Sequence, residues 1–224
     1  MQVIYEDNHI IIVNKKSGEI VQGDITGDTP LSELVQKYLK EKYNKPGKVF
    51  IGVPHRLDRP TSGIVVFAKT SKALQRLNVM FQEGLVKKTY WAIVLKRPEY
   101  EEGELSHYIV RDEKKNKCSA FYKEKSRSKV AKLKYKLINS SQNNHLIEVE
   151  LMTGRHHQIR CQLSKIGSPI RGDLKYGAPQ SNQDGSISLH ARRIRFEHPV
   201  SKEMIDVTAP VPTNDNLWKS FENS

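Results

Sequence analysis

The sequence predicts an α+β fold built on a largely antiparallel sheet. Short β-branched runs outnumber helical stretches, and most neighbouring runs are not joined by a crossover helix. Ala131, Leu133, Tyr135 and Leu137 alternate with polar residues, as do Ile147, Val149 and Leu151, the pattern of strands with one buried face. In chain order, the apolar residues 9–13 read as a strand that ends at Lys15-Lys16-Ser17-Gly18. Asp28-Thr29-Pro30 reads as a helix start with Pro30 in the first helical position. Leu31, Leu34, Val35, Tyr38 and Leu39 then keep helical spacing to about Tyr43. Residues 63–69 are a buried-strand candidate. Ser71 reads as the cap of a second helix with Leu74, Leu77 and Phe81 on one face, closed by Gly84. Residues 88–95 form a further strand, and residues 156–166 a short helix stopped by Gly167. Three short strands, at residues 187–190, 194–196 and 204–207, finish the chain.

Composition narrows the class. A chain of 224 residues can bury a core without disulfides or metals. At 37% hydrophobic and 28% charged it has a globular composition. The longest apolar run, residues 90–95, is far below the roughly 18 residues a membrane-spanning helix needs, and the start lacks the pattern of a secretory signal. Cys118 and Cys161 allow one bridge at most, which fits a reduced cytoplasm. No repeat or Pro-rich linker divides the chain, so one domain over residues 1–224 is expected, with a monomer as the default.

Charge points to the partner. Lys and Arg number 37 against 25 Asp and Glu, a formal charge of +12. Residues 111–136 carry much of the excess: eleven Lys or Arg against Asp112, Glu113 and Glu124, with Tyr108, Phe121, Tyr122 and Tyr135 interleaved. A basic stretch with aromatics suits nucleic acid, because each phosphate neutralised releases condensed counterions. Lys123, Lys125, Arg127, Lys129 and Lys132 are the candidate contacts, and a solvated lysine-rich face is the plainer alternative.

Two segments carry the candidate chemistry. In Pro54-His55-Arg56-Leu57-Asp58-Arg59-Pro60-Thr61-Ser62-Gly63, a carboxylate stands between two arginines on a loop entering a buried strand. The flanking charges favour its ionised form, so Asp58 is a candidate nucleophile or base. A structural ion pair, with Thr61 and Ser62 shaping a turn, is the alternative. In Thr153-Gly154-Arg155-His156-His157-Gln158-Ile159-Arg160, basic residues fall in the first turn of the expected helix, where the dipole disfavours them. An anionic partner, Asp58 or an RNA phosphate, would explain the placement, and so would local capping. There is no C-x-x-C or H-E-x-x-H for a metal, no P-loop or G-x-G-x-x-G for a nucleotide cofactor, and no G-x-S-x-G. A histidine-based ribonuclease, or a glycosidase-like carboxylate pair of Asp58 and Asp173, stays open at this level.

Several of these segments together resemble the RluA-type pseudouridine synthases. His55-Arg56-Leu57-Asp58-Arg59-Pro60-Thr61-Ser62-Gly63 with Phe67-Ala68-Lys69-Thr70 is similar to the family's catalytic motif, and Lys88-Thr89-Tyr90 to its second. Thr153-Gly154-Arg155-His156-His157-Gln158-Ile159-Arg160, with residues 167–173 and Tyr176-Gly177, is similar to the third. The resemblance spans roughly Val3 to Pro212 and implies a central mixed, mainly antiparallel sheet flanked by helices with an RNA-binding cleft. It implies an isomerase that turns uridine into pseudouridine in ribosomal or transfer RNA without a cofactor. Asp58 would be the catalytic aspartate, Tyr90 the aromatic residue against the target base, and Arg160 the ion-pair partner of Asp58. Arg56, His55, Arg59, Thr61, Arg155, His157 and Gln158 would line the nucleotide. Many relatives carry a separate N-terminal RNA-binding domain, which is not expected here. Cys161-Gln162 replaces a Val-His common in the family. A non-catalytic RNA-binding or ribosome-assembly protein is the rival reading.

Overall fold

The computed structural model describes residues 1–24 and 27–223. Its strands are β1 (Gln2–Glu6), β2 (Ile10–Lys15), β3 (Ser62–Ala68), β4 (Lys87–Val94), β5 (Glu102–Asp112), β6 (Lys117–Phe121), β7 (Lys129–Ser140), β8 (His145–Leu151), β9 (Leu189–Glu197) and β10 (Met204–Thr208). Its helices are α1 (Leu31–Lys42), α2 (Ser71–Gln82), α3 (Gln158–Lys165) and α4 (Asn216–Glu222), with a 3-10 turn at Leu174–Tyr176. The preponderance of strands makes this an α+β fold, as the alternation predicts. The chain divides into two compact units, residues 1–86 with 191–210, and residues 87–190 with those after 210.

In the first unit the strand order is β1-β2-β3-β9, with β10 on β9. The β1–β2, β2–β3 and β9–β10 pairs are antiparallel. Every residue of β3 is buried, because apolar side chains leave both faces of the strand. Ile64, Val66 and Ala68 join Ile10, Ile12, Ala73, Leu77, Ile194 and Phe196 in one core, to which α2 contributes its apolar stripe. Gly63 has φ +112, and a Cβ there would sit 2.5 Å from the Ala191 backbone nitrogen, so only glycine permits this approach of β3 to β9.

The second unit runs β4-β8-β7-β5-β6, antiparallel throughout. Trp218 and Phe221 of α4 pack with Ile93 and Leu146. Cys161 of α3 packs with Ile109, Cys118, Ala120, Ala131 and Tyr176. Gln162, fully buried, directs Nε2 to Leu105 O (3.3 Å), Ala131 O (3.2 Å) and His107 Nδ1 (3.0 Å). The Cys161-Gln162 departure therefore builds a polar clasp between α3 and strands β5 and β7.

Several boundaries shift for local reasons. Pro30 is the N-cap of α1 in extended conformation rather than its first helical residue, and Ile20 O and Val21 O take the N–H groups of Leu31 and Ser32 that no helix satisfies internally. Thr70, not Ser71, caps α2, its Oγ1 accepting from Ala73 N at 3.1 Å. Gly84 closes that helix in the left-handed region, with Leu85 N reaching back to Met80 O. α3 begins at Gln158 rather than at residue 156, since His157 has φ +50 and cannot continue a right-handed helix. The strands expected at residues 187–190 and 194–196 are one strand, β9, since no turn residue interrupts Ala191-Arg192-Arg193. β5 and β6, which enclose much of the basic stretch, and β1 and α4 were not anticipated. Among the described residues no helix is long and apolar enough to cross a membrane.

Candidate active site

The residues with chemistry fall on two scaffolds, one in each unit. In the first, the loop before β3 carries Asp58 half-buried between exposed Arg56 and Arg59, with Leu57 buried. Backbone contacts make the loop rigid. Thr61 N donates to Asp58 O at 3.0 Å, and Gly18 N donates to Arg59 O at 2.9 Å. Ser17 Oγ donates to Pro60 O at 3.1 Å. Beneath it lies Lys15, only 1% exposed, whose Nζ donates to Lys16 O (2.9 Å) and Arg59 O (3.1 Å). Burial pushes the Lys15 ammonium down to about 8, against the opposing pull of the Glu19 and Asp58 carboxylates. Arg59 pairs with Asp28 at 2.5 Å. His55 is built into the fold: Nε2 accepts from Val66 N at 2.9 Å and the ring stacks on Phe81 with centroids 4.6 Å apart. Thr61 Oγ1 is buried with no hydrogen-bond partner among the described residues.

In the second unit Tyr90 is buried on β4, opposite Val149 of β8. Lys88, two residues earlier on the same face, loses some of its proton affinity to burial. Its Nζ would stand 3.5 Å from a Cβ at Gly154, so the second and third motifs meet here. The turn into α3 is tied to β7. Gln158 Oε1 accepts from Thr153 Oγ1 (2.7 Å) and Arg155 N (2.9 Å), while its Nε2 donates to Lys132 O (3.0 Å). Arg155 Nε donates to Val130 O at 2.9 Å. Gln158 and Thr153 thus anchor the turn to β7, while the first turn of α3 has no side-chain cap.

Arg160 is held by Asp173. Its Nε donates to Oδ2 at 2.7 Å and one terminal nitrogen to Oδ1 at 2.9 Å, with both side chains almost fully buried. Removing one partner of such a buried pair costs about 3–5 kcal/mol. The Tyr176 ring lies against the guanidinium, 5.0 Å from its carbon. The Tyr176 hydroxyl accepts from Cys118 N at 2.7 Å and meets His157 Nδ1 at 2.9 Å. Burial pushes the His157 imidazole down to about 2, reinforced by the positive charges of Arg160, His156, Lys175 and Arg111. His156 stacks on His157 with centroids 3.8 Å apart.

The expected nucleic-acid residues Lys123, Lys125, Arg127, Lys129 and Lys132 are all exposed, along the β6–β7 connection and the first half of β7. Lys134 and Lys136 differ from them. Lys134 lies opposite Glu104 and Glu150, and Lys136 opposite Glu102 and Glu148, in a charge ladder across three strands. Tyr122, 66% exposed, stands beside this region with the Lys165 ammonium 5.0 Å from its ring.

Sequence reasoning missed Lys15 and the roles of Asp173 and Tyr176. Lys15 shares a face of β2 with the buried Ile11 and Val13, but Ile10 and Ile12 on the other face are buried too, so no alternation distinguished it. Asp173 and Tyr176 stand in the third motif, yet only the 3-10 turn brings both of them onto Arg160.

A family model described as RNA pseudouridylate synthase matches residues 9–165. An uncharacterized RNA pseudouridine synthase of Synechocystis sp. is 31% identical over 218 residues, covering 96% of this chain and 66% of the relative. The ribosomal large subunit pseudouridine synthase C of Vibrio parahaemolyticus is 31% identical over 215 residues, covering 93% of this chain and 65% of the relative. The chain therefore spans just under two thirds of the length of these curated relatives. Among solved structures, human RNA pseudouridylate synthase domain containing 4 superposes with a TM-score of 0.81 at 22% identity, covering 99% of this chain and 93% of that one. That likeness is one of fold.

Proposed function

Since the chain belongs to the RNA pseudouridylate synthase family, we propose that it isomerises uridine to pseudouridine in RNA, with Asp58 as the catalytic carboxylate. The observation that carries this is the span of the family match, residues 9–165, which contains Asp58, Tyr90 and Arg160 together. The reaction breaks the N1–C1′ bond, turns the uracil and forms a C5–C1′ bond. The C5 proton leaves, N1 gains one, and neither water nor an electron carrier is consumed. Catalysis then needs a nucleophile or anion, a surface for the extruded base, and exclusion of water. An ionised Asp58 supplies the first, attacking C1′ or C6 or assisting departure of the base to a glycal. Tyr90 supplies the ring on which the uracil rests. A guanidinium has five N–H donors. Asp173 engages two of those of Arg160, and the role of Arg160 toward Asp58 is the one that the family resemblance implies.

Around the nucleotide, Arg56 and Arg59 are the exposed cations nearest Asp58 in sequence, and His157 faces the same task from the third motif. Lys123, Lys125, Arg127, Lys129 and Lys132 hold the phosphate backbone. The Vibrio relative's name points to ribosomal RNA as the first substrate to try, with transfer RNA the second. The buried thiols of Cys118 and Cys161 suit a reducing cytoplasm, and both units would serve as one monomeric catalytic domain.

The test is a map of pseudouridine across total RNA from cells with the gene, without it, and with Asp58→Ala in its place. The expected result is at least one uridine modified only in the first. A map identical in all three would favour the rival reading of a non-catalytic RNA-binding protein.

A further inference from the structure

We propose that the exposed ring of Tyr122 is a stacking platform for an unpaired RNA base, one that flanks the uridine being isomerised. The inference deepens the reading above and rests on its RNA substrate. Strand phase sets the position of the ring. Cys118 and Ala120 of β6 share the face that packs with Cys161 of α3. Tyr122 is in phase with them, one residue beyond the end of the strand, where that face runs out into solvent. Its ring meets the His107 imidazole of β5, with centroids 5.0 Å apart, and is still 66% exposed. His107 is itself buried and meets the fully buried Gln162 at 3.0 Å, so the ring has a fixed support. Burial lowers the proton affinity of that imidazole, and Lys165 adds to the effect, so a neutral ring backs Tyr122.

The other aromatics of the basic stretch do not offer an open face: Tyr135 is buried, and Tyr108 and Phe121 are half-buried. Around Tyr122 the charge is positive. Lys123 and Lys125 follow it in the chain, both exposed, and Lys165 at the end of α3 holds its ammonium 5.0 Å from the ring centroid. An open π-face ringed by exposed ammonium groups complements a nucleotide, which brings a flat base and a phosphate together. A base inside a duplex has both faces covered, so the fit is to an unpaired one. Lys165 is exposed, so its ammonium yields the ring to a base and stays beside the neighbouring phosphate. Distance separates this base from the target. Tyr90 lies on β4 and Tyr122 just past β6, at opposite ends of the run β4-β8-β7-β5-β6 within the second unit. Four strand spacings make about 19 Å, too far for one nucleoside to touch both rings.

Tyr122→Leu removes the π-face and keeps an apolar cover on His107, whereas Tyr122→Phe keeps the face and loses only the hydroxyl. The probe is a short single-stranded RNA carrying a fluorescent adenine analogue, titrated with each protein over a salt series and compared with a duplex of the same sequence. Wild type and Tyr122→Phe are expected to bind the single strand alike and to quench the analogue. Tyr122→Leu is expected to bind it roughly tenfold more weakly and to quench less, with the salt slope unchanged, because stacking releases no counterions. Duplex binding is expected to be the same for all three. A Tyr122→Leu protein that binds and quenches as wild type does would overturn the inference, as would an equal loss on the duplex or a flattened salt slope. A wild type that quenches the probe but isomerises no RNA would uphold the platform and sink the reading of function.

Discussion

Lys15 shares a strand face with Ile11 and Val13, and water has been stripped from its ammonium there. Its value of about 8 lies below the ordinary 10.5, so between those values the unfolded chain binds a proton that the folded one does not. Stability then rises with pH across that window. A gap of this size corresponds to about 3 kcal/mol, present above pH 10.5 and lost as pH falls to 8. Urea unfolding of wild type and Lys15→Met at several pH values checks this. The wild type is expected to gain on the variant between pH 8 and 10.5, and parallel curves would refute it. At this scale the sequence was partly legible. The arginines beside Asp58 mark a loop with chemistry, whereas the all-apolar run before Lys15 has no alternation to mark it as buried. The Arg160–Asp173 pair was not legible, because sequence offered Asp58 as the obvious anion. Thirteen residues separate Arg160 from Asp173, and only the fold of the 3-10 turn brings them together.

Among the elements, β7 separates two kinds of lysine that look alike in sequence. Lys134 and Lys136 each face carboxylates on both neighbouring strands, whereas Lys132 faces Ser106 on β5. Net charge per residue hides this, since the glutamates come from β5 and β8 rather than from the basic stretch itself. Replacing Lys123, Lys125, Arg127 and Lys129 with glutamine is expected to weaken RNA binding. It should also flatten the salt dependence by roughly 0.7 for each phosphate that is no longer neutralised. The same change at Lys134 and Lys136 should leave the slope nearly unchanged. Filter-binding titrations over a salt series measure both, and equal slopes for the two sets would show that the patch is a solvated face. Elements with strong local signals, β2, β3, α1 and α2, were legible to within two residues of their ends. β5 and β6 were not, because their high charge masks an inward row of Ile109, Cys118 and Ala120. α3 was placed two residues early because the left-handed turn at His157 leaves no mark in composition.

For the whole molecule, the motifs fall on separate scaffolds: Asp58 on a loop of the first unit, Tyr90 and Arg160 on β4 and α3 of the second. Each scaffold is internally braced, by Lys15 and Ser17 under the Asp58 loop and by Asp173, Tyr176 and Gln158 around α3. Changing Asp58 alone should therefore leave the fold and RNA affinity intact while removing the chemistry. The fold class followed from strand alternation, whereas the joining of distant motifs into one reaction followed only from their order along the chain. The most direct test uses purified protein and ribosomal RNA labelled with tritium at uracil C5. Wild type is expected to release tritium without chain cleavage or free uracil, and Asp58→Asn, still bound to RNA, to release none. Equal release by the two proteins, or free uracil in place of pseudouridine, would contradict the account.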